Sequence, residues 1–402
     1  MGDLTCTMVD VLFVISQGKN RADGGVASIS NVLSCLNGFS CHVVTNRPSR
    51  AVEEWRDAGI GVTVAPFDRY RHKAKTLQQI QALIWSNIQA YHHVSAVQPD
   101  VVHVNDRTTF RGWGIGARCA GVPVVDNVRD TQPELSGMRR LKWLVELTLS
   151  ARVLTLSDDM SARWARSLRL DALPKSLGAI LHDKFTSIYS IVDAERFKPV
   201  PDEAKVRLRR ELDVEGTPLL TYVASFHPKK AQLPLIEQAL PVLAERHPDV
   251  MVAFVGDFQP DENDQARTCQ EAVGRLGLQD HVRFVGYQSD VEQWYQAADL
   301  NVLASKKEGL ARSMIESLAC GTPVISFDVA SAKEILEGYG CGRVVPQGAY
   351  EQLKEAIVEL WQNDSLREEM GQRGAEAARE LFEPESIARQ YRTLYEEVGR
   401  EV

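Results

Sequence analysis

The tightest constraint on how this chain can fold is a repeated alternation of short, almost wholly apolar runs with longer stretches of helical pattern. Val11-Leu12-Phe13-Val14-Ile15 has strand length and no polar residue. Runs at 41–45, 61–66, 100–105, 123–128 and 151–157 continue the series. Most are separated by helix-like segments, of which 25–36 and 77–97 are the clearest. In 77–97, Leu77, Ile80, Leu83, Ile84 and Ile88 recur at helical spacing, which predicts an amphipathic helix with these residues as its apolar stripe. Strands that are apolar on both faces and joined by helices predict a parallel sheet covered on both sides.

The alternation restarts after residue 215. Runs at 218–225, 249–256, 281–286, 299–305, 322–327 and 342–346 read as strands, with helices expected near 232–245, 262–276, 312–320 and 349–362. The expected fold class is therefore α/β: two tandem Rossmann-like, doubly wound domains facing a cleft. In such sheets a ligand lies outside the carboxyl ends of the strands. The polar, proline-bearing run 193–205 predicts the hinge. The expected domains are residues 1–195, residues 196–383, and a C-terminal segment 384–402. That last segment is an amphipathic helix through Ile387, Tyr391, Leu394 and Tyr395, expected to pack back toward the first domain.

Composition narrows the function classes. Lys+Arg 46 against Asp+Glu 54 gives a formal charge of −8 over 402 residues, which argues against a nucleic-acid partner. No run reaches the roughly 18 to 20 apolar residues of a membrane span. The start, MGDLTCTMVD, lacks the pattern of a signal peptide, and the seven cysteines show no Cys-x-x-Cys spacing. The expectation is a cytoplasmic protein with reduced thiols. Asp158-Asp159 reads as a helix cap rather than a metal motif. His92 and His93 are adjacent and do not share a helix face as a zinc pair would. No cofactor and no metal are expected.

The most informative stretch runs from Glu308-Gly-Leu-Ala-Arg-Ser-Met-Ile-Glu316 to Ala-Cys-Gly-Thr-Pro-Val. It follows a predicted strand and opens a predicted helix. A helix start offers unpaired N–H groups and the positive dipole end, a ready seat for a diphosphate. Leu310, Ala311, Arg312 and Ser313 would supply the donors, with Gly309 letting the chain turn. Glu308 lies ahead of the helix, within reach of a sugar hydroxyl. Glu316 lies inside it, where a carboxylate can accept two hydrogen bonds from a ribose diol. The plain alternative is that both glutamates are solvated surface charges or part of a cap.

This run resembles the retaining glycosyltransferases of family four, which have the GT-B fold and carry Glu-Gly, a variable run, then Glu-Ala-Met-Ala-Cys-Gly-Thr-Pro-Val. Members act in bacterial surface-polysaccharide and glycoconjugate synthesis. The resemblance implies transfer of a sugar from a nucleotide-diphosphate donor to an acceptor hydroxyl with retention of configuration. It implies that Glu316 holds the ribose and Glu308 the donor sugar. In Val223-Ala-Ser-Phe-His-Pro-Lys-Lys230-Ala, Lys230 falls on the family lysine that neutralises donor phosphates. Ser225 replaces the usual arginine and Ala231 the usual glycine, with Lys229 or Arg312 left to supply the missing charge.

The same resemblance makes Gly24 and Gly25 a loop facing the diphosphate and acceptor, and Gly286 and Tyr287 the base pocket. Arg129 stands where many members have histidine, and Arg129-Asp130 reads equally as contacts to a donor group or as a buried ion pair. Glu334 matches a family glutamate, although Ala330-Ser331 replace the glycines before it. Asp106 is an acceptor-side candidate, and His103 reads as core. The acceptor, whether glycan, lipid-linked or small molecule, is not legible. The basic runs 69–73 and Arg139-Arg140-Leu-Lys142-Trp143 read either as a peripheral membrane contact with an interfacial tryptophan or as solvated faces. Two other readings remain open: a non-catalytic nucleotide-sugar-binding homologue, and a sugar-nucleotide epimerase on the same fold.

Overall fold

The computed structural model describes residues 9–17, 24–36, 38–65, 67, 77–131 and 135–400. The basic run 69–73 lies outside the described residues. The chain divides into two compact units, one running to Ile191 and rejoined by the segment from Pro384, the other spanning Val192–Glu383.

The first unit is built on a seven-stranded sheet. Its strands are β1 (Asp10–Ile15), β2 (Ser40–Thr45), β3 (Gly61–Val64), β4 (Val101–Val104), β5 (Val124–Asn127), β6 (Arg152–Thr155) and β7 (Phe185–Ser187). They lie in the order β3-β2-β1-β4-β5-β6-β7 and every pairing is parallel. Successive residues of β1 go to opposite faces, as the pleat requires. Val11, Phe13 and Ile15 pack with Ile29 and Leu33 of helix Gly24–Cys35 and with the C-terminal helix Pro384–Arg400. Leu12 and Val14 pack with Ala90 and Val94 of helix Leu77–Val97 and with Phe110 and Trp113.

The second unit has six strands: β8 (Leu219–Val223), β9 (Met251–Val255), β10 (Val282–Gly286), β11 (Leu300–Leu303), β12 (Val324–Phe327) and β13 (Gly342–Val345). Their order is β10-β9-β8-β11-β12-β13, again parallel throughout. Each sheet winds outward in two directions from a switch point, between β1 and β4 in one unit and between β8 and β11 in the other. Loops at a switch point diverge to opposite faces and leave a crevice at the strands' carboxyl ends.

Several elements differ from the sequence reading. The expected helix at 232–245 is two helices, Gln232–Gln238 and Leu240–Arg246, because Pro241 cannot donate to the turn before it. Helices Asp202–Glu211, Val291–Ala297 and Asp364–Leu381 and strand β7 carried no clear signal. The proposed hinge run 193–205 lies wholly in the second unit, and its last residues form the first turn of Asp202–Glu211. Ser157, not the aspartate pair, caps helix Asp158–Ser167, accepting from the Met160 N–H. Trp143 is no interfacial residue, since it is buried against Trp164 with ring centroids 4.1 Å apart.

Helix Leu77–Val97 forms where periodicity places it, but it faces the other way. Its buried face is Ser86, Ala90 and Val94, while Leu77, Ile80, Ile84 and Ile88 are exposed. The reason is close approach to helix Ile115–Cys119. A Cβ on Gly116 would stand 2.2 Å from the Asn87 carbonyl oxygen and 2.9 Å from the Ala90 Cβ. Only small side chains fit such a contact, so the bulky stripe is turned outward.

His103 on β4 is fully buried and shares a 2.9 Å hydrogen bond through Nδ1 with the Tyr395 hydroxyl of the C-terminal helix. Burial, helped by the Arg129 charge, lowers its pKa from 6.5 to about 3. The folded chain thus holds a neutral imidazole that the unfolded chain protonates below pH 6.5. Stability from this site is complete above that pH and is lost as pH falls toward 3, by at most about 1.4 kcal/mol per pH unit. Urea titrations at pH 7 and pH 5 are expected to show this loss, and His103→Gln is expected to flatten the slope. An equal slope in the variant would remove His103 from the account.

Candidate functional site

The carboxyl edge of the second sheet gathers most of the residues picked out from sequence. β8 runs into Ser225 and the turn Pro228–Lys230, and β11 runs into Glu308 and helix Arg312–Ala319, so both loops border the switch point. The Lys306 N–H donates to the Lys229 carbonyl at 2.8 Å and ties one loop to the other. The buried Tyr222 hydroxyl donates to the Lys230 carbonyl and anchors that turn to β8.

Lys230 Nζ meets Glu308 Oε1 at 2.5 Å, with side chains only 16 % and 10 % exposed. A lysine on a solvated helix start would not be held in this way. Two charges withdrawn from water cost several kcal/mol each, offset only if their geometry is good and their remaining valences are met. Removing one partner alone would forfeit the attraction that offsets this desolvation. The pair therefore fixes an ammonium group at the crevice whose flexible stem would otherwise wander.

Helix Arg312–Ala319 opens at Ala311, which makes no side-chain cap. The first ladder bonds come from the Met314 and Ile315 N–H groups, both to the Ala311 carbonyl. The N–H groups of Arg312 and Ser313 precede the ladder, at the positive end of the helix dipole. Asn301 of β11 holds this turn in place, its Nδ2 donating to the Ser313 carbonyl at 3.3 Å. Leu310, Ala311 and Ser313 are buried, so the turn cannot fray into solvent.

Glu316 is only 8 % exposed, which rules out a solvated surface charge. Its Oε1 accepts from Arg312 Nη2 at 2.7 Å and Nε at 3.1 Å, and its Oε2 accepts from the Tyr295 hydroxyl at 3.3 Å. Burial, with the Glu316 charge second, raises the Tyr295 pKa well above 10, so the phenol stays a neutral donor. Tyr295 lies on a helix that the sequence reading missed, and nothing in its own neighbourhood marks it. Arg312, the residue left with Lys229 to supply the charge missing at Ser225, is paired with Glu316. Ser225 itself is exposed and offers its carbonyl to Gln232 Nε2 at 2.9 Å.

The two departures from the glycine pattern keep glycine's backbone. Ala231 has φ +55° and Ser331 φ +70°, both left-handed. Ala231 follows Lys230 directly, and Ser331 Oγ donates to the Gly309 carbonyl at 2.8 Å, joining the β12 loop to the β11 loop. Glu334 follows in the Lys333–Glu337 turn. Gly286 ends β10 at φ +83°, where the register with β9 shifts, and Tyr287 beyond it is exposed.

In the first unit the candidates follow the same topology. Gly24 and Gly25 open the helix after β1, and the Gly25 carbonyl accepts from Asn105 Nδ2 at 3.3 Å. Arg129 and Asp130 follow β5 and are half-buried, with the Asp130 carbonyl accepting from Trp164 Nε1 at 3.1 Å. Asp106 is a cap: its carboxylate accepts from the Thr109 N–H at 2.9 Å, Thr109 Oγ1 at 2.8 Å and Ser16 Oγ at 2.7 Å. Those bonds occupy the oxygens that an acceptor would need. Sequence reading missed Asp126 on β5, which is buried with neither carboxylate oxygen accepting a hydrogen bond among the described residues. Burial first, then Glu146 and Asp106, raise its pKa well above the usual range.

Residues 205–377 match the family model for glycosyl transferases group 1. A putative glycosyltransferase, EpsD, of Bacillus subtilis is 30% identical over 197 residues, 49% of this chain and 50% of that protein. The mannosylfructose-phosphate synthase of Agrobacterium fabrum is 32% identical over 210 residues, 51% of this chain and 46% of that protein. The chain thus spans about half the length of the curated relatives it matches. Among solved structures, a glycosyltransferase from Rickettsia africae aligns with a TM-score of 0.78 at 16% identity, covering 98% of this chain and 99% of that one. Anabaena HepE in complex with UDP and glucose aligns at 0.74 and 20% identity, covering 96% and 98%. At such identities the likeness shows the fold, two Rossmann-like domains of the GT-B type.

A left-handed residue with a Cβ carries roughly 1–2 kcal/mol of steric cost, against about 0.5–1 kcal/mol of extra entropy for glycine. Ala231→Gly is expected to leave stability unchanged or raise it by up to about 1 kcal/mol, whereas Ser331→Gly also loses a hydrogen bond and is expected to gain nothing. Chemical denaturation of the two variants checks the contrast.

Proposed function

We propose that this chain, whose second unit carries a glycosyl transferases group 1 domain, transfers a sugar from a nucleotide-diphosphate donor to an acceptor hydroxyl. The observation that carries this reading is the switch-point crevice of the second unit. There the Lys230–Glu308 pair, an uncapped helix start and the buried carboxylate of Glu316 come together from the loops that follow β8 and β11. Each of the three suits a different part of one ligand.

The leaving group in such a transfer is a nucleoside diphosphate, and negative charge grows on it as the glycosidic bond breaks. N–H groups of Ala311, Arg312 and Ser313 and the ammonium of Lys230 would oppose that charge. Donors fixed in advance stabilise a transition state more than mobile water does. Glu316 would take the ribose hydroxyls. Among the described residues its Oε2 accepts a single 3.3 Å bond, from Tyr295, so lone pairs remain for a diol. Glu308 would orient the donor sugar. Retention of configuration and transfer without a metal belong to the same proposal, with the Lys230 ammonium and the helix-start N–H groups as the groups that would oppose charge on the leaving group. Gly286 and Tyr287 are assigned to the base, Gly24 and Gly25 to the diphosphate and acceptor, and Arg129 and Asp130 to the donor. A uridine nucleotide is the first candidate, since the Anabaena neighbour holds UDP.

Calorimetric titration with UDP and GDP tests the site directly. Glu316→Ala is expected to weaken nucleotide binding at least tenfold, about 1.4 kcal/mol. Lys230→Ala is expected to lower turnover of donor by about a hundredfold or more while binding changes less, as for a group that acts on transition-state charge. Melting curves on the same samples separate lost chemistry from lost stability. Nucleotide affinity unaltered by Glu316→Ala would defeat the assignment. Conversion of a nucleotide sugar to its epimer with no acceptor, followed by proton NMR, would favour the epimerase instead.

A further inference from the structure

Among the described residues, the outward stripe of helix Leu77–Val97 is left exposed. Ile80, Ile84 and Ile88 are 55 %, 55 % and 41 % exposed, and Trp85 beside them is 62 % exposed. From Leu77 to Tyr91 the stripe runs about 20 Å at 1.5 Å per residue. Helix Gly137–Leu149 adds a second row, Met138, Leu141 and Val145, all exposed and also at helical spacing. Both helices flank the segment Phe110–Cys119 on the same face of the sheet: Asn87 Nδ2 donates to the Arg111 carbonyl, and Arg111 pairs with Glu146. Ile115, exposed, lies on the segment between them. Apolar exposure on this scale marks a surface that is covered in use.

The charge pattern says by what. Helix Leu77–Val97 contains no Asp, Glu, Lys or Arg, and residues 107–119 contain arginines but no acid. Helix Gly137–Leu149 has a single acid, Glu146, buried in its pair with Arg111. The exposed charges on these helices are therefore the cations Arg118, Arg139 and Lys142, in a chain whose net charge is −8. A second copy docked about a two-fold axis would set these cations against their own equivalents. An anionic bilayer surface meets both needs: its acyl boundary takes the isoleucines and the tryptophan, and its headgroups take the cations. We propose that this face of the first unit docks on an anionic lipid surface, lying in the interface. No helix among the described residues is long and apolar enough to cross a membrane, which leaves the in-plane mode for these helices.

Sedimentation of the full chain with phosphatidylcholine vesicles, with and without phosphatidylglycerol, tests the proposal. Binding is expected only with the anionic lipid and is expected to weaken at high salt. Ile84→Ser with Trp85→Ser is expected to lower partition at least tenfold. Arg139→Glu with Lys142→Glu is expected to lower it about fivefold or more for each charge reversed, on roughly 1 kcal/mol per cation near the surface. The substituted side chains are exposed, and circular dichroism with melting curves confirms that each variant is folded. No binding of the wild type to anionic vesicles, or binding that both variants retain, would overturn the proposal. A concentration-dependent dimer that Ile84→Ser/Trp85→Ser dissociates would overturn it in favour of a second copy.

Discussion

Parallel strand pairing is the constraint from which the architecture follows. Parallel neighbours cannot be joined by a tight turn, so every strand must return by a crossover, and right-handed twist makes each crossover right-handed. All carboxyl ends then lie on one edge of the sheet, and the winding reverses once in each unit, between β1 and β4 and between β8 and β11. That reversal is where two loops part. Lys230 and Glu308 come within 2.5 Å although 78 residues separate them, because each sits just beyond one of the two strands flanking the reversal. The crevice exists before any particular side chain fills it.

The second unit then spends stability to hold charge and backbone in poor places. A buried ion pair is a weak source of stability, and a lone partner would be worse. Ala231 and Ser331 keep left-handed backbones without the glycine that would relieve them. Tyr222 clamps the Lys230 turn, and Asn301 clamps the helix start. Strain and buried charge gathered in one place, with each loop clamped by the strand that leads into it, fit a region shaped for a ligand rather than for stability. The first unit shows a related pattern, with a buried Asp126 whose carboxylate accepts no hydrogen bond among the described residues and a paired Arg111–Glu146 beneath the apolar face of its helices.

The outward face of helix Leu77–Val97 shows how a correct local reading can still miss the packing. Periodicity identifies a helix because side chains three and four apart share a face. It does not say which face a neighbour takes. Here the neighbour is Gly116, and the helix comes so near that serine and alanine, not isoleucine, fill the contact. The apolar stripe is left for something outside the unit. The same distinction separates Trp143, whose sequence setting suggests an interface, from its buried place on Trp164.

What the sequence determined by itself is what depends on near neighbours along the chain. The apolar runs that became β1, β4, β8 and β11 are legible because a strand buried on both faces needs an unbroken apolar stretch, and the turn into helix Arg312–Ala319 is legible because its residues are contiguous. Strand β7, with three half-buried residues, was too short and too polar to announce itself. Tertiary structure alone decided the partners: Tyr295 for Glu316, Tyr222 for the Lys230 turn, Tyr395 for His103, and capping in place of ligand contact for Asp106. Those contacts join residues that are distant in sequence or depend on which way a loop turns. Hydrogen bonds and burial act over a few ångströms of space, and only the folded sheet brings such residues that close.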